Sequence, residues 1–356
     1  MQQTQAPVNP DNPFAKLMAQ ATALTRHGSL AEATHAIQRA LHLARTNGAS
    51  PAPPVGEVVV LDGLVREIEA PPTTPPQPAS FDELPFATPQ GLRHYKLFIP
   101  AGMADDKHAP LVVMLHGCSQ DPDDFAAGTR MNEFAQARGF RVLYPAQAQR
   151  SNAYKCWNWF RPGDQRRDAG EPALLAGITR HVMQTHAVDA DRIYVAGLSA
   201  GGAMAIILAR EYPDLFAAAG VHSGLAQGAA SDVASAFNVM KNGPRDLPEE
   251  LTASPVPLIV FHGDQDGTVH PRNGEHLVAG HAPSEVLPGA LEGGRSFVRT
   301  TYRDGAGRPT AEHWLVHGSG HAWSGGSAEG SFTDPQGPDA THEMLRFFGQ
   351  HRRRAG

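Results

Sequence analysis

Short apolar runs alternate with longer amphipathic stretches between residues 91 and 350. The apolar runs predict strands near residues 93–99, 111–115, 141–145, 192–196, 217–222, 257–262 and 312–317. The stretches between them have helical spacing and predict helices near residues 122–137, 171–186, 200–210, 271–279 and 339–349. Strands that alternate with helices are typical of a mostly parallel, doubly wound sheet, so we expect an α/β domain over residues 91–350.

A different pattern precedes this domain. Residues 1–50 carry two apolar stripes with helical spacing, separated by Gly28 and Ser29, which fit a helix end and a helix start. We therefore predict an N-terminal helical hairpin, followed by a proline-rich linker over residues 51–90. Within the domain, glycines and prolines interrupt the rhythm over residues 225–255, which predicts a cap over the site or, as the alternative, a plain surface excursion.

One predicted strand ends in a pattern that carries chemistry. The strand near residues 192–196 continues into Gly197-Leu198-Ser199-Ala200-Gly201 and directly into a helix rich in small residues. Gly-x-Ser-x-Gly between a strand and a helix is the nucleophile elbow of serine hydrolases, in which the serine has a strained backbone and the glycines leave room for it. An ordinary tight turn is the alternative, and the strand and helix on either side favour the elbow. Ser199 is thus the candidate nucleophile.

A serine hydroxyl needs a base, and the base needs a carboxylate that orients it. In this type of fold the chain order is serine, acid, histidine. Two carboxylates follow the strand near 257–262, and we favour Asp266 over Asp264, whose ordinary role would be to cap the turn. A later glycine-rich loop contains His317 and His321, of which His321 is the candidate base and His317 is expected to be structural.

The buried strand near residues 111–115 ends in His116-Gly117-Cys118. Acyl transfer requires two fixed N–H donors for the oxyanion, and hydrolases of this type take one of them from the loop at this place. We expect the backbone amides of Cys118 and Ala200 to form this oxyanion hole. A generic turn after the strand is the alternative.

Four segments together resemble the poly(3-hydroxybutyrate) depolymerase family of esterases: His116–Gln120, Cys156–Phe160, Gly197–Met204 and Gly320–Trp323. The resemblance extends over about residues 90 to 350. It implies the α/β-hydrolase fold, a catalytic triad of Ser199, Asp266 and His321, and the oxyanion hole at Cys118 and Ala200. It also implies that the tryptophan-rich loop lines the substrate pocket.

The resemblance implies that the chain cleaves poly- or oligo(3-hydroxyalkanoate) esters through an acyl-enzyme on Ser199. Feruloyl and acetylxylan esterases of the same superfamily share the elbow and the His-Gly-Cys segment, so an ester of that kind is the first alternative. A peptidase of the same fold is disfavoured only by the resemblance. An alternative of another class is a granule-binding protein whose hydrolase domain is catalytically inactive, against which the complete Ser-Asp-His set argues.

The loop Cys156–Phe160 places three aromatic residues among polar neighbours. Aromatic side chains clustered in a loop bind apolar or ester surfaces, although a hydrophobic cluster that anchors the loop is the alternative. We expect substrate contacts from four residues of the family motifs: Trp157, Asn158, Trp159 and Trp323.

The chain contains two cysteines, Cys118 and Cys156, and both lie in the family motifs. The resemblance to secreted relatives suggests a disulfide between them, whereas a reducing cytoplasm would favour free thiols, so both states stay open. Residues 1–7 lack the basic segment and the apolar core of a secretory signal, and no apolar stretch is long enough for a bilayer span. We therefore predict an intracellular type of enzyme in the cytoplasm, with granule association as an extension.

The net charge and the spacing of the histidines indicate which classes of partner and cofactor are not expected. The net charge of −6 offers nothing for a phosphate backbone, so nucleic acid is not expected as a partner. His313, His317 and His321 recur every four residues but fall on a strand and a loop, where they would not share a face, so we predict no metal and no cofactor. The expected partners are a polyester or hydroxyalkanoate oligomer as substrate and, through the hairpin, a polymer granule surface or a second copy of the chain.

Overall fold

The computed structural model describes Lys16, Gln20 and Ala36 together with residues 77–88, 91–104, 106–244 and 254–353. The three isolated residues are helical. The rest of the predicted hairpin over 1–50 lies outside the described residues, as do the predicted linker up to residue 76 and residues 245–253 of the predicted cap. The chain divides into two units, Met1–Pro72 and Thr73–Gly356, and the second contains every element named below.

A ten-stranded sheet runs through the second unit. Its strands, in chain order, are β1 (Ser80–Thr88), β2 (Gly91–Ile99), β3 (Ala109–Leu115), β4 (Arg141–Pro145), β5 (Val188–Leu198), β6 (Ala218–His222), β7 (Leu258–Gly263), β8 (Pro283–Ala290), β9 (Ser296–Arg303) and β10 (Pro309–Val316). They lie side by side in the order β1-β2-β4-β3-β5-β6-β7-β10-β9-β8. The six neighbours β4-β3-β5-β6-β7-β10 pair in parallel. The strands outside them are antiparallel, with β1 and β2 at one edge of the sheet and β9 and β8 at the other.

Helices follow most of the parallel strands. They are α1 (Pro122–Thr129), α2 (Met131–Arg138), α3 (Gly170–Thr185), α4 (Ala200–Glu211), α5 (Val233–Asn242), α6 (Arg272–Val278) and α7 (Ala340–Phe348). A small parallel pair, β11 (Trp323–Ser324) and β12 (Thr333–Asp334), lies between β10 and α7. The prediction of an α/β domain with a mostly parallel sheet is confirmed.

The sheet has a hydrophobic core on each face. All residues of β3 are buried, and successive side chains point to opposite faces, so Val113 belongs to one core and Val112 to the other. Helices α3 and α4 pack in the first core, whereas α7 packs in the second. A strand that is buried on both faces reads as a continuous apolar run, which is why β3 and β7 were recognisable in the sequence.

The structure corrects the predicted linker at its C-terminal end. Residues 80–88, which the sequence placed in the linker, form β1 and pair along their whole length with β2. Phe81 and Phe86 are half-buried, and Pro85 is tolerated because β1 is an edge strand that needs fewer ladder donors.

Two further departures concern helices. The helix predicted over 122–137 is divided at Arg130, whose φ of 55° is left-handed and ends α1 before α2 begins. The predicted cap contains α5, which begins at a capping box formed by Asp232 and Ser235. Whether residues 225–255 cover the site stays a prediction.

The edge formed by β8 was also missed. The first six residues of this strand are all exposed, and the strand contains Pro283 and Pro288. Such a segment has neither the apolar run of a buried strand nor a buried face in every second position.

Candidate active site

Ser199 lies at the turn between β5 and α4. Its φ of 58° and ψ of −119° are a strained combination for a residue with a side chain. The chain can pass here because Gly197 and Gly201 lack side chains: a Cβ on Gly201 would overlap the carbonyl oxygen of Leu115, and one on Gly197 would overlap the backbone of Gly201. The strand, the strained serine and the helix have the local geometry of a nucleophile elbow.

The loop after β3 lies beside this serine. A Cβ built on Gly117 would be 3.7 Å from the Cβ of Ser199, and the Gly117 amide donates to the side-chain oxygen of Gln120 at 2.9 Å. Ala200 is the first residue of α4, so its amide is one of those that a helix leaves without an intrahelical acceptor. Both predicted oxyanion segments therefore adjoin Ser199.

Asp266 and His321 form a buried pair. The Nδ1 atom of His321 lies 2.7 Å from Oδ2 of Asp266, and the two side chains are 12% and 0% exposed. The amides of Thr268 and Val269 donate to the other oxygen at 2.9 and 2.8 Å. Burial alone raises the pKa of Asp266, but hydrogen bonds, first among them those of His262 and His321, outweigh it and hold this pKa well below its ordinary value.

A second pair of the same types lies in the same two loops. The Nδ1 atom of His317 is 2.9 Å from Oδ2 of Asp264, and the amide of Gly318 donates to the other oxygen at 2.7 Å. These side chains are 41% and 28% exposed. The bond to the Gly318 amide joins Asp264 to the histidine loop rather than to its own turn, and its expected turn-capping role stays a prediction.

Parallel strands bring the three candidate catalytic residues to one edge of the sheet. Ser199 follows β5, Asp266 follows β7 and His321 follows β10, and the carboxyl ends of neighbouring parallel strands meet at the same edge. The amide of Gln265 donates to the carbonyl of Ser319 at 3.0 Å, which joins the acid loop to the histidine loop.

His222, at the end of β6, links the serine to β11, the short strand that follows the histidine loop, and it was not among the predicted site residues. Its carbonyl accepts from the amide of Ser199 at 2.9 Å, and its Nε2 accepts from the amide of Ser324 at 3.0 Å. Burial lowers the pKa of His222 to about 3, so the ring is neutral and free to accept. Its only sequence signal is a position at the end of an apolar run, next to the nucleophile strand.

Of the two cysteine states left open by the sequence, the structure contains the disulfide between Cys118 and Cys156. The bridge joins the loop after β3 to the aromatic loop. A second connection lies beside it, since the indole N–H of Trp157 donates to the carbonyl of His116 at 3.1 Å.

Glu171, near the start of α3, holds the same loop and was also missed. Its carboxylate accepts from the backbone and side-chain N–H groups of Asn158 at 2.7 and 2.6 Å, and from the side chain of Gln147 at 2.5 Å. Burial raises the pKa of Glu171 to about 7, although these donors favour the charged form.

The four predicted substrate contacts are all buried. Trp157 and Trp159 belong to the first core, while Trp323 lies in the second core, where its indole N–H donates to Thr341 at 3.0 Å. The side chain of Asn158 is engaged by Glu171. For Trp157 and Trp159 these contacts fit the alternative left open by the sequence, packing that anchors the loop. Substrate binding by the four residues stays a prediction.

The described residues contain neither a candidate metal site nor a candidate membrane span. They contain no group of three or more histidine, cysteine, aspartate or glutamate side chains arranged to hold a metal ion. Within the same residues, no helix has the length and apolar character needed to cross a membrane.

The chain is similar to several known esterases. It is 33% identical over 247 residues to poly(3-hydroxyalkanoate) depolymerase C of Paucimonas lemoignei, a match that spans 65% of this chain and 59% of that protein. It is 29% identical over 203 residues to feruloyl esterase B of Neurospora crassa, which spans 52% of this chain and 68% of that protein.

The fold and the family follow from two further comparisons. An acetyl xylan esterase from Aspergillus awamori superposes with a TM-score of 0.59 at 18% identity, covering 76% of this chain and 99% of the esterase, which supports the α/β-hydrolase fold. The family model described as Esterase PHB depolymerase matches residues 93–291, more than half of the 356-residue chain. This chain therefore belongs to the PHB depolymerase family of esterases, and the resemblance noted in its motifs is confirmed.

Proposed function

We propose that this chain is a carboxylic-ester hydrolase with Ser199, Asp266 and His321 as its catalytic triad. The observation that carries the proposal is the buried contact of 2.7 Å between His321 and Asp266, at the sheet edge where the strained Ser199 lies. A buried carboxylate on Nδ1 fixes the tautomer of the ring and stabilises its protonated form.

In the proposed mechanism, Oγ of Ser199 attacks the ester carbonyl and its proton passes to Nε2 of His321, the ring nitrogen that does not face Asp266. The negative charge on the carbonyl oxygen is stabilised by the amides of Cys118 and Ala200. His321 then gives the proton to the leaving alcohol, and the acyl group stays on Ser199. Water, activated by the same histidine, releases the acid and restores the serine.

The proposed substrate is a poly- or oligo(3-hydroxyalkanoate). Membership of the PHB depolymerase family and the 33% identity to a poly(3-hydroxyalkanoate) depolymerase support this choice. The 29% identity to feruloyl esterase B supports an aryl ester as the second candidate. Binding to polymer granules through the N-terminal hairpin stays a prediction.

The predicted cytoplasmic location also stays a prediction. The disulfide between Cys118 and Cys156 argues against it, because such bonds persist in oxidising compartments and are rare in the cytoplasm.

Replacement of the nucleophile tests the proposal. Ser199→Ala is expected to lower kcat by a factor of about 10³ or more, because no other group would form the acyl-enzyme. Hydrolysis is measured on amorphous poly(3-hydroxybutyrate), its dimer and trimer, nitrophenyl butyrate and methyl ferulate. Ser284→Ala, at an exposed serine on the distant edge strand β8, is the control and should behave as wild type.

The substrates distinguish the alternatives. Cleavage of methyl ferulate without release of hydroxybutyrate would select the feruloyl-type esterase. A Ser199→Ala variant that retains a tenth of wild-type activity on every ester would overturn the assignment of the nucleophile. A wild-type protein that cleaves none of them would favour the binding-protein alternative.

A further inference from the structure

A cavity of about 700 Å³ lies at the same edge of the sheet as Ser199, near the ends of β4 and β2. Its walls come from the ends of β1 and β2, from the segment after β4 and from the start of α3. Strands β4 and β2 lie two and three strands from β5 in the sheet, which corresponds to separations of about 10 and about 14 Å. The part of a ligand that binds here is therefore separate from the bond that is cleaved, and Asn158 is the residue that the aromatic loop contributes to the lining.

The acidic side chains that line this cavity already have partners. The carboxylate of Glu171 is held by the donors of Asn158 and Gln147. Asp164 accepts from the amide of Glu171 at 2.7 Å, and a carboxylate oxygen of Asp168 lies 3.8 Å from Nε of Arg167. The carboxylates of Glu171 and Asp164 are thus engaged within the protein, whereas that of Asp168 is largely exposed to water. A third arginine of the lining, Arg161, lies near Asp164 and favours its charged form.

Two arginines that line the same cavity have no carboxylate partner among the described residues. Arg93 and Arg150 line it, and both donate to one acceptor, the carbonyl oxygen of Leu92. Among the described residues, no carboxylate forms an ion pair with either guanidinium. In addition, Nε of Arg93 is buried and has no hydrogen-bond partner within the described part of the chain. Two converging positive charges with spare donors favour an anion in the cavity.

The rest of the wall indicates what kind of anion fits. Phe86, Ala173 and Leu174 give the cavity an apolar side next to the arginines. A ligand that satisfies both sides has a carboxylate at one end and short alkyl groups along its chain. The free acid end of a hydroxyalkanoate oligomer has this chemistry.

We infer that this cavity binds the terminal carboxylate of an oligoester whose scissile bond lies at Ser199, with Arg93 and Arg150 as its ligands. The inference rests on the proposed function for the identity of the chain. Because the strands that line the cavity are about 10 to 14 Å from β5, the bound carboxylate belongs to a different unit of the oligomer from the one that is cleaved. The enzyme accordingly prefers oligomers with a free acid end to the same oligomers with that end esterified.

The test compares kcat/KM for the 3-hydroxybutyrate tetramer as the free acid and as its methyl ester. The ratio of the two values is measured for wild type, for the double variant Arg93→Gln/Arg150→Gln and for Arg303→Gln. Arg303 is a matched control, since it is an exposed arginine that donates to a backbone carbonyl, that of Gly307, at 3.1 Å. Nitrophenyl butyrate gives the amount of active enzyme in each preparation.

We expect wild type and Arg303→Gln to favour the free acid, and the double variant to lose that preference by about tenfold through kcat/KM for the acid. An equal ratio in all three proteins would overturn the inference. If the double variant does not fold, Arg150→Gln alone is used, because Arg150 is exposed and its substitution removes only one bond to a carbonyl.

A binding measurement separates this inference from the proposed function. Titration of Ser199→Ala with the tetramer acid, followed by calorimetry, should show binding that weakens about tenfold when Arg150→Gln is added. If Ser199→Ala binds the tetramer but wild type does not cleave it, the proposed reaction is contradicted and the inferred carboxylate site is supported. If wild type cleaves the tetramer but Arg150→Gln does not change binding, the proposed reaction is supported and the inferred carboxylate site is overturned.

Discussion

The two loops at the edge of the sheet contain two aspartate–histidine pairs of nearly the same design. Asp264 contacts His317 and Asp266 contacts His321, each through Nδ1 at less than 3 Å. The pairs differ in burial, since the Asp264 pair is substantially exposed and Asp266 has no exposed side-chain surface. The contact alone therefore does not distinguish the two acids, and their difference in burial is what favours Asp266 as the proposed catalytic acid.

Burial changes what the contact does. An exposed ion pair is screened by water and contributes about 0 to 1 kcal/mol to stability. The Asp266 carboxylate is surrounded by fixed donors, namely His321, Thr268 and Val269, with His262 at 3.5 Å. Such a carboxylate stays charged and immobile, which suits it to support a protonated histidine during the reaction.

The largest expected effect comes from replacing each acid in turn. Asp266→Asn should lower kcat by a factor of about 10³ or more, because the amide neither holds the tautomer of His321 nor stabilises its protonated form. Asp264→Asn, the matched change in the exposed pair, should alter kcat by less than about threefold. Ester hydrolysis by the two purified variants measures this contrast. The reverse order of effects would move the proposed acid to Asp264.

Reduction of the disulfide tests whether the difference between the two aspartate–histidine pairs depends on the loop after β3 and the aromatic loop, which the bridge joins. The bridge between Cys118 and Cys156 closes a segment with a sequence separation of 38, and its loss should lower the free energy of unfolding by about 2–4 kcal/mol. Activity should fall as well, since Cys118 supplies a proposed oxyanion donor. Urea unfolding with and without reductant measures the first effect, and Cys118→Ser/Cys156→Ser is the matched variant.

The contrast between Asp266→Asn and Asp264→Asn should survive in the reduced protein, because the bridge contacts neither pair. A contrast that disappears on reduction would show that loop order, rather than burial of Asp266, produces it.

A smaller effect should appear in the pH dependence of stability. Burial lowers the pKa of His313, in the strand before the histidine loop, to about 4 from an ordinary 6.5. Between these values the unfolded chain takes up a proton that the folded chain excludes, so stability falls as the pH falls, by about 1.4 kcal/mol per unit for such a group. In His313→Phe the difference in bound protons between the unfolded and the folded chain should be smaller by about one between pH 6.5 and 5, so stability should fall less steeply with pH.

Urea unfolding at pH 8.5, 7.5, 6.5, 5.8 and 5.0 measures the slope. Above about pH 7.5, where the histidine is neutral in both the folded and the unfolded chain, the wild type and His313→Phe should have the same pH dependence, which serves as the internal control. Equal slopes over the whole range would mean that His313 titrates normally in the folded protein and would contradict its burial in β10.

The sequence identified features that are fixed by local backbone geometry. Gly197 and Gly201 are needed within two residues of Ser199, so the elbow can be recognised from a pentapeptide. The buried strands β3 and β7 are recognisable because both of their faces are apolar.

Contacts between residues that are far apart in the chain could not be predicted from the sequence. His222 meets Ser324 across 102 positions of the chain, and no local pattern announces that contact. Glu171 looks like an ordinary acidic residue in a first helical turn until Asn158 folds onto it. The two cysteines illustrate the same limit, since their spacing alone allows either a bridge or two thiols.

The choice of Asp266 over Asp264 lies between these extremes. Spacing from the strand end favoured Asp266, and its catalytic role stays a prediction. What the sequence could not supply is the physical difference between the two acids, because exposure is decided by how the acid loop, the histidine loop and β6 pack together.

The ends of the sheet have a consequence for how the protein behaves in concentrated solution. An open sheet leaves a row of backbone groups at each edge that can pair with another molecule, and on β8 the exposed Val286 and Leu287 would add to such an association. Pro283 and Pro288 remove N–H donors from that row, and Pro85 does the same on β1. The prolines that made these strands hard to recognise thus protect the protein against edge-to-edge aggregation.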